Sequence, residues 1–198
     1  NGAERTTPVE IVDGDRCARF TSTVISGVHV TQGADWMQQR LTAAGMRPIN
    51  NVVDVSNYVM LELNQPNHAY DVDTLGGGGF RIRLAAEGEQ LVTLDEVERT
   101  FSTNDLLICD ADDTPIGMGG VMGGLDSEIA DATTSVALEM AWFAPVGIGQ
   151  TVTRTGLRSE ASQRFERGVD PYGMPTAVAR FAELLSETCP DLVVHTGG

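Results

Sequence analysis

Lysine is missing from all 198 residues of this chain, and every one of its 13 basic side chains is an arginine. That absence removes whole chemistries. A Walker phosphate loop and a Schiff-base enzyme both depend on a lysine amine, so neither is expected. Positive charge is scarce altogether: 28 acidic against 13 basic side chains leave a formal charge of −15. Such a surface opposes a general binder of duplex or single-stranded nucleic acid, although a local arginine patch can still meet nucleic acid that is held elsewhere. The cysteines, Cys17, Cys109 and Cys189, are odd in number and scattered. They make no disulfide framework and no metal-ligand spacing, and they suit a reducing cytoplasm. No apolar run is long enough to span a bilayer. The first residue is Asn1 and no charged-then-apolar leader follows it. A signal peptide is therefore not expected, and the chain reads as an excised piece of a longer one.

What is present is enough for a folded core. A hydrophobic content of 41% with 21% charged residues belongs to a globular protein of one large or two small domains. Residues 1–13 have mixed polarity without a period and read as a linker, with the domain proper over 14–198. The β-branched stretch RCARFTSTVISGVHV (16–30) predicts one or two strands. ADWMQQRLTAAG (34–45) and NVVDVSNYVMLEL (51–63) predict helices, the second burying Val52, Val55, Val59 and Leu63. QPNHAYDVDTLGGGG reads as a flexible loop ending in four glycines. FRIRL is a strand, QLVTLDEVERTF a hairpin about Asp95 and Glu96, and DLLICD, IGMGGVMGG and VALEMAWF are further strands. APVGIGQTVTRTG opens a short helix on a proline, and TAVARFAELLSET (176–188) is a terminal amphipathic helix. Strands outnumber helices without alternating regularly, so the class is α+β, with mixed, largely antiparallel sheets and flanking helices.

Several positions carry possible chemistry. GMGGVMGG (117–124) fails the dinucleotide-binding spacing, because Met122 stands where the third glycine belongs. Its plain reading is a strand and turn in close backbone contact, and its functional reading is backbone that a ligand can touch. His68 has Asp71 and Asp73 nearby but no histidine partner, which favours a structural group over a metal ligand. Glu139 interrupts SVALEMAWF. Alternation sets Ala137, Glu139 and Ala141 on one face and Val136, Leu138, Met140 and Trp142 on the other. The face with the carboxylate is either solvated or the floor of a small cavity, and the pattern alone favours solvent. No GxSxG elbow and no defensible Cys-His pair occurs, so a hydrolase built on this chain would use water as its nucleophile. Arg154, Arg158, Arg164 and Arg167 gather beside SEAS (159–162).

Taken together, GMRPINNVVDVSNYVMLELNQPNHAYD, GGVMGGLDSEI, ALEMAWFAPVGI and GLRSEASQRFERGVDP strongly resemble the editing module of the β-subunit of bacterial phenylalanyl-tRNA synthetase. The resemblance covers roughly residues 16–190, fades before Asp13, and shows local variation at Gly76–Gly79. It implies hydrolysis of tyrosine mischarged onto phenylalanine tRNA, in the cytoplasm, alongside the rest of the β-subunit and the α-subunit. ATP and Mg²⁺ would act elsewhere in the synthetase, and this module would need no cofactor or metal. It assigns Glu139 to reading the tyrosine hydroxyl, which reverses the reading from pattern. Ser56, Asn57 and His68 become the pocket wall near the ester, where the family often has Thr in place of Ser56. Gly120 becomes backbone against the bound amino acid, and Ala161 the small residue that admits the ring. The ester step would use water oriented by His68, with the Gly120 and Val121 amides near the oxyanion. Arg158, Arg164 and Arg167 would offer a landing point for the tRNA end; for Arg164 and Arg167 the alternative is pairing with Glu160, Glu166 or Asp170. A non-catalytic tRNA-binding or spacer module is the rival reading.

Overall fold

The computed structural model describes residues 4–195. Its architecture is α+β: two packed sheets and a small hairpin, with three of the helices on the outer face of one sheet and two against the core between the sheets. In chain order the elements open with strand β1 (Val9–Ile11), strand β2 (Cys17–Ser26), helix α1 (Asp35–Ala43) and helix α2 (Asn51–Leu63). Strands β3 (Asn67–Asp71) and β4 (Phe80–Leu84) follow, then the hairpin of β5 (Gln90–Val92) and β6 (Glu98–Thr100). Next come β7 (Leu106–Asp110), β8 (Pro115–Met118), β9 (Met122–Gly123) and the long β10 (Ser135–Phe143). Helices α3 (Pro145–Thr155), α4 (Glu160–Phe165) and α5 (Met174–Ser186) precede a short β11 (Val193–Val194).

One sheet runs β11-β2-β10-β3, all antiparallel, and the other runs β1-β4-β7-β8-β9 with β1 parallel to β4. β10 sits inside the first sheet, and the side-chain alternation read from its sequence holds. Val136, Leu138 and Met140 pack with Ile25 against α1, α2 and α5, through Met37, Leu41, Val55, Val59, Phe181 and Leu185. Ala137 and Ala141 face the other way, toward Phe80, Ile82, Ile108 and Met118 of the second sheet. Both faces of β10 are therefore covered, and Glu139, between those two alanines, is only 6% exposed. The solvated reading of its face is wrong for that reason.

Local chemistry sets the ends of the helices beside this interface. Asn50 caps α2 by accepting from Val53 N at 3.0 Å, and Asn64 ends it in the left-handed conformation at φ 55°. Leu63, expected in the buried face, is the last residue of α2 and is 39% exposed. SEAS opens α4: Ser159 and Ser162 form a reciprocal capping box.

Three stretches differ from expectation. Part of the expected linker is built into the fold, since Val9–Ile11 pairs with β4. The predicted loop QPNHAYD contains β3, whose Pro66 precedes the ladder rather than interrupting it. The glycine run after it winds into a 3₁₀ turn at Gly76–Gly78, with Gly77 at φ 61°. No described helix is long and apolar enough to cross a membrane.

Candidate active site

β3 and β10 place the polar groups of the site. In their antiparallel register His68 lies opposite Glu139, and Tyr70 opposite Ala137. Residues two apart on a strand share a face, so His68, Tyr70 and Glu139 all point between the sheets. There they line a cavity of about 220 Å³ with Ser56, Asn57, Gly120, Val121, Ser159 and Ala161. Every candidate of the sequence analysis except the arginines is thereby brought to one place, although the elements that carry them, α2, β3, the β8–β9 turn, β10 and α4, range from residue 51 to residue 165. A second cavity of about 340 Å³ adjoins it, sharing Ser56, Asn57, Asn67, His68 and Leu94.

Burial governs the electrostatics. Desolvation pushes the Glu139 carboxyl up to about 7, even though the Tyr70 hydroxyl, donating to Oε2 at 2.9 Å, favours its charged form. Tyr70 itself titrates well above its ordinary range, through burial and the Glu139 charge. The His68 imidazole is pushed down to about 4 by desolvation and is neutral at pH 7. Its tautomer follows from Ser127, whose hydroxyl donates to Gly124 O at 2.7 Å. The same oxygen must then accept from His68 Nε2, 3.2 Å away, which leaves Nδ1 with a free lone pair.

The glycine turn is fixed by sterics. Gly120 has φ +71°, and a Cβ there would come within 2.8 Å of Ile148 Cδ1 and 2.9 Å of Phe143 Cδ2. Its N–H donates to no acceptor among the described residues, whereas the Val121 N–H donates to Met118 O at 3.0 Å. The expectation of two amide donors is corrected accordingly: Val121 closes the turn and has no N–H to offer an oxyanion. The Val121 carbonyl accepts from Ser159 Oγ at 2.6 Å, tying α4 to the turn.

On the opposite wall, Ser56 Oγ donates to Asn67 O at 3.1 Å, and Asn67 Nδ2 returns a bond to Ser56 O at 3.1 Å. Two carbonyl acceptors, Ser56 O and Gln65 O, fix the Asn67 amide orientation and leave its buried Oδ1 without a partner. The Asn57 amide makes no hydrogen bond among the described residues. Tyr70, Asn67 and Ser127 were missed in the sequence. For Tyr70 the signal was its spacing of two from His68, which means something only once the segment is known to be a strand.

The arginine cluster divides. Arg158 pairs with Glu166, Arg154 with the buried Asp105, and Arg164 with Glu160 at 2.7 Å. Pairing is what the structure gives for these. Arg167 is exposed and makes no ion pair among the described residues. Also among the described residues, no group of three or more His, Cys, Asp or Glu could hold a metal ion.

The B3/4 domain family matches residues 16–190. Similar curated proteins are the phenylalanine–tRNA ligase β-subunits of Nitratidesulfovibrio vulgaris, 49% identical over 90% of this chain and 22% of the relative, and of Halalkalibacterium halodurans, 48% identical over 94% and 23%. The β-subunit of Synechocystis sp. is 44% identical over 96% of the chain and 24% of the relative. The chain thus spans less than a quarter of the length of these relatives. Among solved structures, an N-terminal fragment of the phenylalanyl-tRNA synthetase β-subunit from Pyrococcus horikoshii matches with a TM-score of 0.51 at 11% identity, over 84% of this chain and 50% of that one. At that identity the likeness concerns the fold alone.

Proposed function

The chain belongs to the B3/4 domain family, and from that premise we propose that it is the hydrolytic editing module of a phenylalanine–tRNA ligase β-subunit, releasing tyrosine wrongly esterified to phenylalanine tRNA. The chemical need is specific. A pocket made for phenylalanine rejects an added hydroxyl by only ~10²-fold, so a second site must detect that hydroxyl positively.

The observation that carries the reading is the Glu139 carboxyl, enclosed between two sheets and lining a cavity the size of one amino-acid side chain. One of its oxygens is held by Tyr70, and the other makes no hydrogen bond among the described residues. A tyrosine ring entering past Ala161 donates its hydroxyl to that free oxygen. A phenylalanine ring would leave it desolvated and unpaired. The adjoining cavity suits the terminal nucleoside, since the two spaces meet at Ser56, Asn57 and His68.

In the ester step, water attacks the carbonyl carbon and the C–O bond to the ribose breaks. The water proton ends on the ribose oxygen, with help from a neighbouring ribose hydroxyl. His68 Nδ1 accepts a hydrogen bond from the water and orients it, and the Gly120 N–H faces the developing oxyanion as the single amide donor. Of the four arginines beside α4, Arg167 is the one without an ion pair among the described residues, and it is left for the tRNA backbone. The rest of the β-subunit and the α-subunit hold most of the tRNA, which makes a charge of −15 tolerable.

The test is hydrolysis of tyrosyl- and phenylalanyl-esters of the phenylalanine tRNA by the ligase that carries this segment. Wild type should release tyrosine preferentially. Glu139→Ala should lower the preference by about one to two orders of magnitude, as a hydrogen bond to a charged group contributes roughly 1.5–3 kcal/mol. Glu139→Gln, which keeps shape and an acceptor, should fall between. A wild type that releases neither ester would point to the spacer reading instead.

A further inference from the structure

Glu139 does not hold its own orientation. A glutamate side chain has three rotatable bonds, and the residues directly across from it, His68 on β3 and Ser22 on β2, make no hydrogen bond to it. The bond it receives comes diagonally, from Tyr70. Tyr70 can reach because the residue opposite it is Ala137, whose methyl leaves the phenol free to lean along β10. The ring cannot easily do otherwise. Phe80 meets it at 5.1 Å and 65°, His68 at 4.5 Å and 71°, and the residue is 2% exposed.

We propose that Tyr70 is the positioning residue for substrate selection: its hydroxyl holds Glu139 Oε2 so that Oε1 is presented to the cavity as an ionised acceptor. This inference rests on the editing reading above. A carboxylate has two acceptor oxygens, and Tyr70 engages one from the wall while the cavity side stays open. The fixed phenol also acts as a permanent, internal counterpart of the hydroxyl to be recognised. It stabilises the anion before substrate arrives, so less reorganisation is left for the binding step.

No cation shares this task among the groups around Glu139. His68 on β3 is neutral, the Cys17 thiol on β2 is pushed up to about 12 and is neutral, and Ile108 and Met118 on the second sheet carry no charge. Glu139 sits near 7 with the Tyr70 bond in place. Removing a donor to the charged form moves a carboxyl further up. Tyr70→Phe deletes that donor and leaves the ring packing intact.

The experiment has two readouts. In the first, the tyrosine-to-phenylalanine ratio of ester hydrolysis by the whole ligase is followed from pH 6 to 8.5. In wild type the ratio should rise through about pH 7. In Tyr70→Phe the rise should move up by about one unit, giving a roughly tenfold lower ratio at pH 7 that recovers toward pH 8.5, with the same melting temperature within a few degrees. In the second, the protonated-carboxyl stretch of Glu139, assigned by its loss in Glu139→Gln, is titrated by infrared spectroscopy. Its midpoint should be higher in Tyr70→Phe. An unchanged midpoint overturns the claim that Tyr70 holds the carboxyl. A shifted midpoint with an unshifted selectivity profile overturns its role in selection. If wild type releases neither ester, the editing reading fails and selection fails with it, while the infrared midpoint still decides whether Tyr70 governs Glu139.

Discussion

At the scale of single residues, His68 illustrates how burial limits a chemical role. An imidazole held near 4 is a poor acid at neutral pH, and as a base its conjugate acid is too strong to retain a proton. With Nε2–H committed to Ser127, Nδ1 can orient a water but gains little by taking its proton. His68→Ala should therefore slow tyrosine release by about 10- to 100-fold without abolishing it, below the range of a full general base. The measurement is single-turnover hydrolysis with binding of the tyrosyl end monitored in parallel. Total loss with unchanged binding would mean that His68 does remove the proton.

At the scale of elements, the cavity exists because α4 stops short of filling it. Ser159 caps that helix and bonds the Val121 carbonyl, so Ala161 is delivered to the wall at a fixed distance from the glycine turn. Ala161→Trp should occupy the ring site and abolish editing. Its cost in stability should stay within about 1–3 kcal/mol, since a residue at a cavity edge can grow into the empty space. Circular dichroism and a thermal melt would verify the fold, and tyrosine release the function. Full activity in a well-folded variant would place the amino-acid pocket elsewhere.

At the scale of the whole molecule, Glu139 and His68 pull stability in opposite directions with pH. The folded Glu139 binds its proton near 7 while an unfolded glutamate does so near 4.5, so the native state takes up the extra proton and gains stability as pH falls across that window. The folded His68 stays neutral down to about 4, against 6.5 when unfolded, so the unfolded state takes up the proton and stability is lost as pH falls from 6.5 to 4. Each shift of this size is worth roughly 2–4 kcal/mol across its window. Chemical denaturation from pH 8 to 4 should show Glu139→Gln losing its advantage over wild type on acidification. His68→Ala should gain relative to wild type over 6.5 to 4. Parallel stability curves for all three proteins would mean that neither group is held away from water in solution.

Much of this protein is fixed by its sequence alone. Helix α2 appears over 51–63 as predicted because its apolar period and its Asn50 cap are local signals, and the alternation along β10 assigns Glu139 and its two alanines to one face. The motifs that resemble the editing module supplied Ser56, Asn57, His68, Gly120, Glu139 and Ala161, which the fold does assemble around one cavity. Other features were decided only by tertiary structure. Periodicity tells which residues share a face but not what covers that face, and β10 is covered on its second side by strands that begin tens of residues away. β3 has too little apolar alternation to declare itself, and it becomes a strand because β10 offers it an edge of unpaired backbone groups. The state of Glu139 depends on Tyr70 reaching it diagonally across that pairing, and Arg154 is paired with Asp105, a carboxylate 49 residues away that only the fold brings near. Desolvation and hydrogen-bond partnership are properties of the space around a residue, and that space is made by the whole chain closing on itself.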